Sequence, residues 1–122
     1  MLSKKNRPNK ADIEQIFKKS TFFASPYVTF RFLIQNTQNK PKIAFITPKT
    51  TAKKAVKRNL LRRRGYIVLQ KHINTFPLGF LGVFIFNKKS LEFFGGNKKD
   101  NFNPRENIEK EITSLLSKAK LL

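Results

Sequence analysis

The stretch KKAVKRNLLRRRGYIVLQKH, residues 53–72, can be read in two ways, and the number of strands in the domain depends on the choice. As one piece it is a helix that runs from the threonines at 50 and 51 past Gly65 to the neighbourhood of His72. As two pieces, the helix stops at Gly65 and YIVL (66–69) is a strand. An internal glycine costs a helix about 1 kcal/mol relative to alanine. Continuation is the better reading, with the break at Gly65 as its alternative. Ala52, Val56 and Leu60 recur at i, i+4, i+8 with Ala55 beside them, which predicts a narrow apolar stripe. Thr50 or Thr51 can serve as N-cap. Lys54, Arg58 and Arg62 form a parallel cationic line, flanked by Lys53, Lys57 and Arg64.

Upstream, YVTFRFLIQN (27–36) alternates and is rich in β-branched and aromatic residues, and KIAFITP (42–48) is a second strand stopped by Pro48. The polar turn NTQNKPK between them predicts an antiparallel hairpin. Lys10 to Ser20 fits a short helix, with Ile13, Ile16 and Phe17 on one face and Asp12 and Glu14 in its first turn. Residues 1–9 read as a loose basic arm. Downstream, GFLGVFIFNKK (79–89) reads as a buried strand after a turn at Asn74 to Pro77, and SLEFFGGNKKDNFNP (90–104) as loop. NPRENIEKEITSLLSKAKLL (103–122) is an amphipathic helix, capped by Asn103 with Pro104 first and Glu106 three after the cap, and Ile108, Ile112, Leu115 and Leu116 make its stripe. The whole is one α+β domain over residues 1–122, a small two-layer sandwich in the order α-β-β-α-β-α, with a further short strand allowed.

The charge distribution narrows the partner. The chain of 122 residues has 26 Lys and Arg against 7 Asp and Glu, a formal charge of +19. From Gln15 to Leu91 there is no carboxylate, while sixteen cations fall in that span. Residues 53–65 alone hold seven. A solvated surface normally mixes both signs, and an excess this large is normally neutralised by a polyanion.

Catalytic sets are scarce. With one His, His72, and no Cys, thiolate zinc sites, disulfides and Cys–His pairs are excluded, and a lone His at a helix end is ordinarily a surface residue. Glu106, Glu109 and Glu111 are most simply a solvated face, and no P-loop spacing occurs. No apolar run near the start suits a signal peptide, and the apolar stretch FPLGFLGVFIF (76–86) is well short of the roughly 20 residues a spanning helix needs. The expectation is a soluble, cytoplasmic protein.

Phosphates are the best match for the basic helix, since arginine forks bind them bidentately and released counterions drive the association. A membrane-surface helix would instead set bulky apolar residues opposite the charges. Aromatic side chains on the neighbouring strand suit the support of unpaired bases, although Tyr27, Phe30 and Phe32 read first as core.

AVKRNLLRRR (55–64) resembles the basic signature of the bacterial ribonuclease P protein component, which runs Arg-Asn-Arg, any residue, then Lys/Arg-Arg. Arg58 and Asn59 match, Leu60 replaces the second Arg, Leu61 matches a usual aliphatic, and Arg62 and Arg63 match the basic pair. A further Arg is usual where this chain has Tyr66, with Arg64 close by. IAFITPKTTAKKA (43–55) resembles the preceding strand and loop, with Lys49 in the place of a common lysine. ADIEQIFKKS resembles the first helix, where Phe17 matches an aromatic and Ile13 stands for a usual Phe. YVTFRFL resembles the first strand, and PRENIEKEITSLL the closing helix.

The resemblance implies a fold with a left-handed βαβ crossover, against the ordinary rule. It implies a protein that binds the catalytic RNA of ribonuclease P and the precursor tRNA, aiding removal of the tRNA 5′ leader. The active site and its Mg²⁺ ions are then the RNA's. Lys49, Lys53, Lys54, Lys57, Arg58, Asn59, Arg62, Arg63 and Arg64 would face the catalytic RNA. A cleft between the first helix and the sheet would hold the single-stranded leader, with Phe17, Tyr27 and Phe30 as contacts. A ribosomal or other structural RNA-binding protein would share the charge, size and mixed fold, and remains the alternative.

Overall fold

The computed structural model describes residues 6–25, 27–88 and 104–119, apart from the side chains of 104–106. The elements are α1 (Lys10–Lys19), β1 (Thr21–Ala24), β2 (Val28–Ile34), β3 (Lys42–Ile46), α2 (Ala55–Gln70), a 3-10 turn (Ile73–Thr75), β4 (Phe80–Phe86) and α3 (Pro104–Lys118). The expected α+β class and element order stand. A further short strand is present, but it is β1, which the sequence did not announce, and not YIVL (66–69). The predicted cap of the closing helix at Asn103, its Glu106 side chain and most of the loop 90–104 lie outside the described residues.

The strand order is β1-β2-β4-β3. β2 and β3 therefore do not form the expected hairpin. β4 lies between them, antiparallel to β2 (Phe30 opposite Phe84) and parallel to β3 (Phe45 opposite Phe84). The reason is burial. β4 is apolar on both faces, with only Ile85 partly exposed, and such a strand belongs in the centre of a sheet. β2 instead makes its sequential hairpin with β1, in the register Phe22 opposite Arg31. Gly79 seats the return of the chain into β4. It has φ +82°, and a Cβ there would fall 2.1 Å from the Gln35 carbonyl oxygen, so only glycine suits the position.

The faces of the sheet differ. On one, Val28, Phe30, Ile43, Phe45, Phe80, Phe84 and Phe86 pack against α2 and α3 to form the main core, with α3 contributing Ile108, Ile112, Leu115 and Leu116 as expected. Its centre is a row of stacked rings crossing three strands: Phe32 to Phe30 at 5.1 Å, Phe30 to Phe84 at 4.4 Å and Phe84 to Phe45 at 5.0 Å between centroids. The two-layer description holds for this core. α1 adds a partial layer on the opposite face, where Ile16 meets Leu81 and Val83.

α2 is continuous through Gly65, and YIVL is helical. Its buried line is not the expected Ala52, Val56, Leu60. Ala52 is buried but precedes the helix, Val56 is 76% exposed, and the residues that pack are Leu61, Gly65, Val68 and Leu69. Neither threonine is the cap. The N-cap residue is Lys54, without a side-chain acceptor, while Thr51 is buried and its hydroxyl donates to the Phe86 carbonyl at 2.7 Å.

α1 begins in a capping box. The Asp12 N–H donates to Asn9 Oδ1 at 2.8 Å, and the Asn9 N–H donates to Asp12 Oδ2 at 3.0 Å, satisfying two N–H groups at the helix start. Of the basic arm, Asn6 is tied down, its side-chain amide donating to the Pro41 carbonyl at 2.8 Å.

Candidate nucleic-acid interface

The predicted cations lie on the loop from Pro48 to Lys54 and the first turns of α2, and two of them, Arg62 and Arg63, share one depression with Asn59. The loop is held from below by Thr51 on β4 and closed by backbone bonds from Thr51 and Ala52 to the Pro48 carbonyl. From above, Arg58 Nη1 donates to the carbonyls of Ala52 at 3.0 Å and Lys53 at 2.8 Å. Arg58 is thus partly a structural clamp, a role its place in a basic run did not reveal. Arg62 donates to the Asn59 side chain. Lys49, Lys53, Lys54, Lys57, Asn59 and Arg63 are exposed, and Arg58, Arg62 and Arg64 half-buried. Asn59, Arg62, Arg63 and Tyr66 line a depression of about 310 Å³.

The electrostatics of this surface are one-sided. The first turn of α2 has no acid, although a helix N-terminus carries partial positive charge and favours anions. Two ion pairs stand among the described residues, Lys42–Asp12 and Lys71–Glu109, both at 3.5 Å. Neither uses a cation between Lys49 and Arg63. Dipole and side chains therefore carry the same sign here and repel one another.

Tyr66, where the resemblance would put an Arg, packs edge-on to Phe45 at 5.0 Å between centroids and accepts the Phe45 N–H at 3.2 Å. It occupies a hydrogen-bonding group on the outer edge of β3 that would otherwise lack a partner in the sheet.

On the opposite face of the sheet, α1 is anchored by Lys42–Asp12 and by a 2.6 Å bond from Gln35 Nε2 to Gln15 Oε1. Thr29, Ile46 and Ile85 on that face stay partly exposed, so α1 covers the sheet only in part, and the uncovered strip beside it is the place of the expected cleft. Of the three residues assigned to it, Phe17 fits, with 47% of its surface exposed. Phe30 does not: it is wholly buried in the main core, on the other face of the sheet. Tyr27 is half-buried and packs against that same core. The three do not form one site.

Two residues that the sequence reading missed do stand with Phe17. The guanidinium of Arg31 lies 5.6 Å from the centroid of Phe17 and 5.2 Å from that of Phe22. The signal was the pair of aromatics in TFFA, but only the β1–β2 pairing brings Phe22 beside Arg31.

Among the described residues no three His, Cys, Asp or Glu side chains form a group that could hold a metal ion, and no helix is long and apolar enough to cross a membrane.

A family model described as Ribonuclease P matches residues 2–120. Solved structures share the fold. A mutant of the Staphylococcus aureus RNase P protein, described as defective in mRNA degradation, superposes with a TM-score of 0.77 at 18% identity, covering 94% of this chain and 88% of that one. The RNase P protein from Thermotoga maritima gives 0.75 at 21% identity, covering 92% and 96%. None of the curated proteins compared matches the chain.

Proposed function

The chain belongs to the ribonuclease P protein family, and from that membership we propose that it binds the catalytic RNA of a ribonuclease P through the Lys49–Arg64 surface, and the 5′ leader of precursor tRNA on the uncovered strip of sheet beside α1. The observation that carries the reading is the concentration of cations from Lys49 to Arg63, none in an ion pair with a carboxylate among the described residues, on a loop clamped from both sides. A rigid, uncompensated basic surface suits a polyphosphate, because little ordering is left to be done on binding and counterions are released from the RNA.

Hydrolysis of the phosphodiester needs an activated water and a stabilised leaving oxygen. We assign both to the RNA subunit and its Mg²⁺. The described residues offer no donor set fit to hold that ion, so no step of the reaction is attributed to them. The protein's part is to screen repulsion between two RNAs and to keep the leader close to the cleavage site. A cytoplasmic location follows from this role.

The test is a 5′-labelled precursor tRNA incubated with protein, with catalytic RNA, or with both. A mature 5′ end formed by the mixture at a Mg²⁺ concentration too low for the RNA alone is expected. Metal-dependent cleavage by protein free of RNA would overturn the assignment. Co-sedimentation with a ribosomal subunit, and no binding to the catalytic RNA, would favour a ribosomal protein instead.

A further inference from the structure

We infer that Phe22, together with Arg31 and Phe17, forms a stacking site for one unpaired base, which carries the leader track from α1 onto β1. The inference rests on the leader reading above and adds to it two residues and a direction.

A single exposed aromatic on an edge strand needs no explanation. Here two are organised about one cation. Phe22 is 57% exposed and Phe17 47%, and neither ring belongs to a core cluster. Both lie within the roughly 6 Å at which a guanidinium is attracted to a ring face, at 5.2 and 5.6 Å from Arg31 Cζ. Arg31 makes no ion pair among the described residues. Its ordering therefore comes from the two rings, and its donors remain available.

A nucleotide matches both halves of this arrangement. Its base supplies a π-face for Phe22, and its phosphate accepts from an arginine fork. The geometry fixes the direction: Phe17 stands on α1, Arg31 on β2 and Phe22 on β1, so a strand that passes Phe17 meets Phe22 next, toward the β1 edge of the sheet. A second copy of the chain is a poor occupant, because each copy carries a charge of +19.

The chain has no Trp, so Phe22→Trp introduces a unique fluorophore at the site. This variant, assembled with the catalytic RNA, is titrated with precursor tRNAs whose leaders are shortened one nucleotide at a time, and with mature tRNA. Quenching is expected only above a threshold leader length. At that same length Phe22→Ala should lose about tenfold in affinity, with affinity for mature tRNA retained, and Arg31→Lys should lose less than Arg31→Ala. Absence of quenching at every length, with Phe22→Ala binding as the unsubstituted protein, overturns the inference alone if Phe17→Ala still weakens leader-bearing substrate. If leader length and Phe17→Ala are both without effect, the leader reading itself fails. Quenching by vesicles of phosphatidylcholine and phosphatidylglycerol, or by raised protein concentration, but not by the leader, would overturn the inference in favour of a membrane or self-association surface.

Discussion

A Cβ on Gly65 would sit 2.6 Å from the ring of Phe45. Helix α2 rests on β3 at this point, and the missing methyl is what lets it approach. Gly65→Ala therefore sets two effects in opposition. The alanine improves helix propensity by about 1 kcal/mol, while overpacking against a ring already stacked on Phe84 costs about 1–3 kcal/mol. A net loss of stability is expected in thermal or urea denaturation. Adding Phe45→Leu should recover part of it, since the two sites are in contact and their effects are not additive.

Arg58 and Arg63 should behave differently although both lie in the basic run. Arg58→Ala removes the clamp on the Ala52 and Lys53 carbonyls, so it should lower stability by about 1 kcal/mol as well as weaken RNA binding. Arg63→Ala should weaken RNA binding at unchanged stability. Lys88→Ala, beyond the end of β4, is the control expected to change neither much. Denaturation and RNA titration on the same preparations check this, and equal RNA effects for all three would mean that only total charge matters.

Tyr66→Phe keeps the ring and deletes the hydroxyl that accepts the Phe45 N–H. Leaving that half-buried donor without a partner should cost about 1 kcal/mol. Faster amide exchange at Phe45 than in the unsubstituted protein is the specific readout. An unchanged rate would show that water replaces the hydroxyl without loss.

Phe30→Ala and Phe17→Ala should separate core from surface. Phe30 is stacked in the middle of the ring row, and its truncation should cost about 3–5 kcal/mol, abolishing or greatly weakening the fold. Phe17→Ala should leave the circular dichroism spectrum unchanged and reduce affinity for leader-bearing precursor tRNA by about 1–3 kcal/mol. Early melting of Phe17→Ala would assign that residue to packing with Ile16.

Binding to the catalytic RNA should be steeply salt-dependent. If six phosphates are neutralised, affinity falls on the order of a thousandfold between 50 and 200 mM salt. A flat response would remove the phosphate reading of the α2 surface.

Most of the elements and the exposed basic run at the start of α2 were legible in the sequence because they rest on local signals: alternation in β2, the Pro-led amphipathic α3, the long carboxylate-free span. What escaped was non-local. Nothing near residues 28–46 reveals that a strand at 80–86 will part β2 from β3. The apolar stripe of α2 was misplaced because Ala and Val near its start matched a helical period, whereas the real contact line includes Gly65, which contributes no side chain to count. Phe30 read as core from its own strand, which it is; only the resemblance made it a leader contact, and alternation tells two faces of a strand apart without saying which one the core will take. Phe22 and Arg31 became visible as a pair only through the β1–β2 register.

The insertion of β4 also bears on how the chain is made. Thr29 and Asn87, hydrogen-bonded in the finished protein, are 58 residues apart in sequence, and β3 waits for the same late strand. Contacts of such high order slow folding, and synthesis delivers the N-terminal strands first. Until β4 leaves the ribosome, β2 and β3 present bare inner edges of the kind that pair with other chains. Over that interval every nascent copy already carries an unbroken excess of positive charge, and mutual repulsion holds such edges apart. The cations of residues 15–88 would then guard the chain against aggregation before they meet any RNA.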